Sequence, residues 1–246
     1  MRDLIISDIH ANWEGLSAVL AGTAGQYDRV ICCGDLVGYG ADPNAVVEWV
    51  RAHAAVVIRG NHDKVAAGLD SMEDFNPLAK RAAIWTMNAL TPENMAWVKA
   101  LPRGPVMVDG YSVVHGSPRD EDEYVIEGPE VRVAMEAATV DLTFFGHTHL
   151  QGGFQLHERK TVVIGPPFPD EVEYAFELAV GYRYLVNPGS AGQPRDGDWR
   201  VGCAIYDSEL AAVQLLRFPY ELETAQQKIR EAGLPPLLAD RWARGY

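Results

Sequence analysis

A chain of 246 residues can bury a substantial core, and the length suits one large α/β domain or two small ones, of which a single domain is the expectation. Its 34 acidic residues outnumber 21 Lys and Arg, giving a formal charge of -13, which disfavours extended nucleic-acid binding through clustered basic side chains. Cys32, Cys33 and Cys203 form neither a Cys-x-x-Cys spacing nor a disulfide framework, and no leader or membrane-length apolar run occurs, so a cytoplasmic protein without membrane association is expected.

Leu4 to Ile6, Val30 to Cys33 and Val56 to Ile58 are short apolar runs, each ending before a Gly- or Asp-containing loop, the pattern of parallel strands in an α/β sheet. Asn12-Trp13-Glu14 starts one intervening helix, with Leu16, Val19 and Leu20 on its apolar face. Asp42-Pro43 starts another, with Asp42 as the capping residue. Residues 63–104 read as a helical insertion: NPLAKRAAIWTMNAL has a helical period, and Thr91-Pro92-Glu93 caps a further helix through Trp97. Then come VMVDG, YSVVHG, a helix around Glu130 to Ala138 and the strand of DLTFFGHTH. Segments near 153–164, 182–187, 201–206 and 211–217 alternate between turn signals and are expected to form an antiparallel second sheet, with the Pro-rich acidic stretch 165–181 as an excursion. Residues 219–246 form a C-terminal helical segment, in which ELETAQQKIREAG is a surface helix. Trp13, Trp49, Trp85 and Trp97 are assigned to packing, and His53 and His157 match no motif.

Asp8 and His10 stand two apart beyond the first strand, where an extended end would point both side chains the same way. The other polar clusters are Gly34-Asp35, Gly60-Asn61-His62-Asp63, His115-Gly116 and Gly146-His147-Thr148-His149, each after an apolar strand. Open α/β sheets bind ligands outside the carboxyl ends of their strands, so these distant loops can meet. Five of the seven histidines, His10, His62, His115, His147 and His149, lie in them. Oxygen and nitrogen ligands without thiolate suit Mn²⁺, Fe, Zn²⁺, Ni²⁺ or Co²⁺ better than a structural zinc knot. The set exceeds one mononuclear catalytic site with open positions, so two ions sharing a bridge is the economical reading.

Taken in order, Asp8-Ile9-His10, Gly34-Asp35, Gly60-Asn61-His62-Asp63, His115 and Gly146-His147-Thr148-His149 resemble the motif set of the calcineurin-like metallophosphoesterase superfamily. Asn187-Pro188-Gly189-Ser190 resembles a feature of its small bacterial phosphodiesterase branch. The resemblance implies an α/β fold, a four-layer α/β/β/α sandwich of two mixed sheets flanked by helices. It implies hydrolysis of a phosphodiester or small nucleotide-type phosphate by a metal-bridging hydroxide. Two divalent ions, Mn²⁺ ranked first, would be held by Asp8, His10 and His149 on one side and Asn61, His115 and His147 on the other, with Asp35 bridging. His62 would be catalytic, as proton donor or charge stabiliser, with Asp63 holding its ring through the other nitrogen.

Arg195, Arg119 and Tyr39 are candidate contacts to a small phosphate-ester substrate. Solvated charge is the alternative for each arginine, and loop packing for Tyr39. The protein-phosphatase and dinucleoside-tetraphosphatase branches carry an arginine shortly after the second motif's Asp. It is absent from Gly34-Asp35-Leu36-Val37-Gly38-Tyr39-Gly40, which disfavours phosphoprotein hydrolysis. The alternatives are a catalytically weak interaction scaffold of the same fold, a phosphomonoesterase or protein phosphatase, and a nuclease. His62 and every expected ligand are present, which disfavours the scaffold, and the acidic charge disfavours the nuclease. The insertion is expected to wall the substrate pocket, the alternative being that its apolar face makes a homo-oligomer interface.

Overall fold

Leu4, Ile5 and Ile6 are all fully buried, so the strand that carries them must be covered on both faces. In the computed structural model, which describes residues 1–165 and 171–246, that strand is β1 (Arg2–Ile6). It is followed by α1 (Trp13–Gly22), β2 (Arg29–Cys32), α2 (Pro43–His53) and β3 (Ala54–Val57). Three helices come next: α3 (Asn61–Ala66), α4 (Pro77–Ala89) and α5 (Pro92–Lys99). Then follow β4 (Val106–Val108), β5 (Tyr111–Val113), α6 (Pro129–Ala137), β6 (Leu142–Phe144), β7 (Gly152–His157) and β8 (Lys160–Ile164). The chain continues through β9 (Glu173–Glu177), β10 (Arg183–Asn187), β11 (Val201–Asp207), β12 (Ala212–Phe218), α7 (Leu222–Glu231) and α8 (Pro236–Trp242).

The strands form two mixed six-stranded sheets, ordered β3-β2-β1-β11-β12-β9 and β4-β5-β6-β10-β7-β8. Alternation along β1 divides its side chains between two cores. Leu4 and Ile6 face helices α1, α2, α7 and α8 through Leu16, Val46, Ile229 and Leu238. Ile5 joins the layer between the sheets, with Ile31, Val113, Phe144 and Val186. On the outer face of the second sheet, Phe145 and Leu185 pack against Val131, Ala134 and Met135 of α6. The layers are therefore helices, sheet, sheet, helix, as the motif resemblance implies.

The sheet assignment of the later strands differs from the sequence reading. β7, β8 and β10 do enter the second sheet, but β11 and β12 return to the first, where β11 lies antiparallel to β1 with Leu4 opposite Ile205. Part of the expected excursion is also a strand: β9 pairs antiparallel with β12 at the sheet edge, while 166–170 lie outside the described residues. Alternation identifies a strand but not its partner, which here is set by contacts distant in sequence.

Three helix starts, those of α1, α4 and α5, are capped by a local side chain, whereas α2, α3, α6, α7 and α8 have no side-chain cap bond. Asn12 accepts from the Gly15 amide, Asn76 from Leu78 and Ala79, and Thr91 from Asn94, each cap worth about 1 kcal/mol. Asp42 precedes α2 but makes no side-chain cap bond; its carboxylate instead takes the Lys228 ammonium of α7 at 2.9 Å. That long-range ion pair has no local sequence signature. Among the described residues no helix is long and apolar enough to cross a membrane.

Candidate metal centre

Strands β1, β2 and β3 run parallel in one sheet, and β5, β6 and β10 run parallel in the other. The loops leaving these strands carry the polar motifs. Main-chain bonds tie them together: Asp8 N to Gly34 O at 3.0 Å, His10 N to Asp35 O at 3.0 Å, and Gly146 N to His115 O at 2.8 Å. Ser190 Oγ donates to the Asp8 carbonyl at 2.7 Å, and Asn187 Nδ2 donates to the Gly146 carbonyl at 2.9 Å. The Asn187-Pro188-Gly189-Ser190 turn thus clamps the first and last motifs.

Asp8 and His10 meet for a different reason than strand alternation. β1 ends at Ile6, and Asp8, His10, Ala11, Asp35, Tyr39, His147 and His149 all lie in the left-handed region, with φ between 49° and 67°. Left-handed turns, not a continued extended strand, aim these side chains inward. Such backbone costs energy in a non-glycine residue, and its concentration here marks a site held by its surroundings. Two motif glycines are required by close approach: a Cβ on Gly60 would lie 2.1 Å from Asp35 Oδ1, and one on Gly146 would lie 2.0 Å from Ser7 Oγ.

Two ligand clusters result. Asp8, His10, Asp35 and His149 each offer an atom to one, and Asp35, His115 and His147 to the other, with the atoms of each cluster within 4.8 Å of one another. Asp35 belongs to both. Asn61 joins the second, its Oδ1 lying 3.2 Å from His115 Nε2. All eight of the residues from Asp8 to His149 that the motifs singled out for metal or catalysis, apart from Asn61, are buried.

Hydrogen bonds on the far side of three rings decide what the near side can do. The Nδ1–H groups of His10, His115 and His149 donate to the carbonyls of Val37, Cys33 and Gln193 at 3.0, 2.9 and 2.5 Å. The neutral rings of His10 and His149 then turn a bare Nε2 lone pair inward, and the Nε2 of His115 is aimed the same way, at Asp35 and Asn61. His10 Nε2 and His149 Nε2 face each other at 3.0 Å, and His10 and His115 each place Nε2 3.5 Å from Asp35 Oδ2. His147 Nε2 is buried without any partner. Lone pairs and carboxylate oxygens converging with main-chain amides as the donors to Asp8 and Asp35 suit a cation, and the residues of each cluster fit a divalent metal ion.

The titration behaviour has the same origin. Burial holds His10 and His149 well below the ordinary imidazole range and His147 at about 3, while it raises Asp8 to about 7. Burial opposes charge on His115 as well, but the Asp35 carboxylate overcomes it and lifts His115 to about 10. Burial likewise opposes ionisation of Asp35, and the His115 and His62 charges overcome it. A proton shared by this pair meets part of the charge demand that a metal would meet.

His62 lies beside the clusters. Its main-chain N–H donates to Asp35 Oδ1 at 2.8 Å, its ring sits 4.5 Å from both Tyr39 and Phe75, and burial lowers it to about 4. Asp63 does not hold that ring. Its carboxylate accepts the main-chain N–H groups of Leu36, Val37 and Gly60 at 3.0, 3.2 and 3.0 Å, and His62 Nδ1 has no partner. The three amides lie closer to hand than the imidazole, and Asp63 thereby fixes the Gly34 to Tyr39 loop.

Arg195 approaches the centre, with its guanidinium 5.8 Å over the Tyr39 ring, Nη2 3.0 Å from Gln193 Oε1, and Nε buried without a partner. Arg119 does not. It pairs with Glu123 and is exposed. His53 stacks on Trp49 and His157 on Tyr182, both away from the ligand clusters. Sequence reasoning missed Gln193, whose contribution is a main-chain carbonyl and so leaves no residue-type signal. It also missed Phe75 and Tyr124, whose ring centroids lie 4.5 Å from His62 and 3.8 Å from His147.

A cavity of about 320 Å³ opens beside His62 and His147. Part of the helical insertion walls it, through Val65, Asp70, Asp74 and Phe75. Helix α3 begins at Asn61, before the expected start of the insertion, so its first turn carries Asn61 and His62 into the site.

The model of the calcineurin-like phosphoesterase superfamily domain matches residues 1–209. The uncharacterized protein MJ0912 of Methanocaldococcus jannaschii is 33% identical over 247 residues, covering 96% of this chain and 95% of that protein. A metallophosphoesterase from Sphaerobacter thermophilus of solved structure is 38% identical with a TM-score of 0.85, covering 100% of this chain and 99% of its own. The hypothetical protein PH1004 of Pyrococcus horikoshii shares the fold at 17% identity, with a TM-score of 0.79 and coverage of 100% and 98%.

Proposed function

The chain belongs to the calcineurin-like phosphoesterase superfamily, and on that premise we propose that it is a two-metal phosphoesterase acting on a phosphodiester or a small nucleotide-type phosphate. The observation that carries this reading is the membership of Asp35 in both ligand clusters. Asp8, His10 and His149 would hold one ion and Asn61, His115 and His147 the other, with Asp35 common to both. Mn²⁺ is the proposed metal, since the donor set is oxygen and imidazole. When bound, such ions supply Lewis acidity and neutralise charge developing on phosphoryl oxygens.

The chain's own groups set the geometry around that chemistry. The carbonyls of Val37, Cys33 and Gln193 keep three Nε2 atoms free to ligate. Asp35 anchors the His62 main chain, which holds its ring at the cavity beside the clusters. From there the His62 ring donates an N–H hydrogen bond to the departing ester oxygen and stabilises its charge, while the elements of water add across the P–O bond and the alcohol leaves with a proton from that water. Arg195 has donors free of any carboxylate partner among the described residues and is placed to orient a phosphoryl oxygen, with Tyr39 packed against it. Arg119 receives no role.

The test is reconstitution with Mn²⁺, elemental analysis and turnover of bis(p-nitrophenyl) phosphate. Two ions per chain and release of p-nitrophenol are expected. One ion with Asn61, His115 and His147 unengaged would overturn the dinuclear reading. Two ions without hydrolysis of any tested monoester, diester or nucleotide would favour the scaffold.

A further inference from the structure

The cavity beside His62 and His147 is chemically one-sided. Its inner end is the buried pair His62 and His147, each with a ring nitrogen that has no partner. Its outer wall carries the carboxylates of Asp70, Asp74 and Asp122, and among the described residues no lysine or arginine lines it. Phe75, Tyr124 and Tyr39 are its aromatic lining residues.

The charge of that wall is not balanced from behind. Lys64, with a side chain only 6% exposed, places its ammonium 2.5 Å from Asp122 and 3.2 Å from Asp70. Glu121, which also reaches Lys64, is taken up by Arg59 at 2.9 and 3.1 Å. Asp74 has no partner among the described residues. One buried ammonium thus reaches two of the three lining carboxylates and leaves the third, Asp74, unpaired among the described residues. A polyanionic group would be repelled by this wall, whereas carboxylates interleaved with aromatic faces favour an organic cation.

We propose that the organic half of the substrate carries a positive charge, making this a phosphoesterase for amino-alcohol or quaternary-ammonium phosphoesters. The inference rests on the phosphoesterase reading above and specifies the cavity next to its metal centre. Lys64 is then a positioning residue, which draws the α3–α4 loop and the loop after His115 together around the cationic group.

The kinetic test uses two esters with the same leaving group: p-nitrophenyl phosphocholine and its isostere with a neutral alkyl group in place of the ammonium, p-nitrophenyl 3,3-dimethylbutyl phosphate. With the Mn²⁺-loaded protein, KM for the choline ester should be lower by about tenfold, the size of a partly desolvated ammonium–aromatic contact with added carboxylates. Added salt and Asp74→Asn should each shrink that ratio. A ratio near one, or a preference for the dimethylbutyl ester, would overturn the proposal. Calorimetry with phosphocholine against 3,3-dimethylbutyl phosphate repeats the comparison without turnover. If neither ester is hydrolysed but phosphocholine binds about tenfold tighter, the catalytic reading fails and the cation pocket stands. Equal binding removes the pocket whatever the turnover.

Discussion

Two buried carboxylate sites lie at opposite ends of the same strand, and only one of them is chemically closed. At the start of β1, Asp3 accepts Arg29 Nε at 2.6 Å, Arg29 Nη2 at 2.9 Å and the Tyr111 hydroxyl at 2.7 Å. The Arg29 guanidinium, which also reaches Asp109 at 2.7 Å, and a phenol thus supply that carboxylate with a cation and a donor from the chain itself. Beyond the other end, Asp8 and Asp35 face imidazole rings and main-chain N–H groups, and among the described residues no lysine or arginine pairs with either. Burial is equal at the two ends. The difference lies in whether the chain supplies its own cation, and that difference separates a structural ion pair from a metal centre.

The sharpest way to break this comparison is Asp35→Asn, which removes the negative charge common to both ligand clusters. Bound metal should drop below two ions per chain, and turnover should fall to background, a loss beyond about 10⁴-fold. Elemental analysis and bis(p-nitrophenyl) phosphate hydrolysis on the same preparation report both. A variant that keeps two ions and its activity would show that Asp35 is no more a ligand than Asp3 is.

Next in size is His62→Ala. Its ring lies next to the clusters without belonging to either, so kcat should fall by about 10²–10⁴ while metal content stays at the wild-type level. Loss of metal along with activity would move His62 into the metal-binding set. Unchanged kcat would remove its proposed role.

How much of this could be read from the sequence follows the same division between side chain and backbone. The motif residues were legible because each follows an apolar strand and strand ends gather ligands. Their conformations were not: left-handed φ at Asp8, His10, His147 and His149 is imposed by the packed loops, and none of these is a glycine that would announce it. The carbonyls that orient His10, His115 and His149 were equally hidden, since every residue has one. In the fold, both strand-rich regions were visible, but the return of β11 to lie against β1 depends on pairing nearly 200 residues apart in the chain. Asp63 shows the limit most plainly. Adjacency to His62 suggested a partner for the ring, and the nearby amides of Leu36, Val37 and Gly60 took the carboxylate instead.

The closed site should respond in the opposite sense to the open one. Arg29→Met leaves Asp3 buried with only the Tyr111 hydroxyl, at a cost of about 3 kcal/mol, the low end for breaking a buried pair because Arg29 is itself 23% exposed. Urea denaturation should show the lower midpoint, and kcat of the folded variant should match wild type. A variant with unaltered stability would show that the guanidinium does not close the Asp3 site. Altered metal content would mean that the two ends of β1 are coupled.

The smallest effects distinguish two arginines that sequence alone placed on equal terms. Among the described residues Arg195 has its Nε buried without a partner and its guanidinium reaches the neutral oxygens of Gln193 and Tyr39, and it adds to the charges that depress His10, His62, His147 and His149. A guanidinium so placed has donors left for a phosphoryl oxygen. Arg195→Ala should therefore reduce kcat/KM by about 10–10²-fold, the equivalent of one charged hydrogen bond. Arg119 spends its charge on Glu123 at the surface, where an exposed pair contributes about 0–1 kcal/mol. Arg119→Ala should leave kcat/KM within about twofold of wild type and shift stability by less than that amount. Arg195→Lys sharpens the contrast, since it keeps the charge but loses the planar pair of donors and should recover only part of the lost activity. Equal losses in the Arg195 and Arg119 variants would mean that proximity to the imidazoles does not select the phosphate-binding arginine.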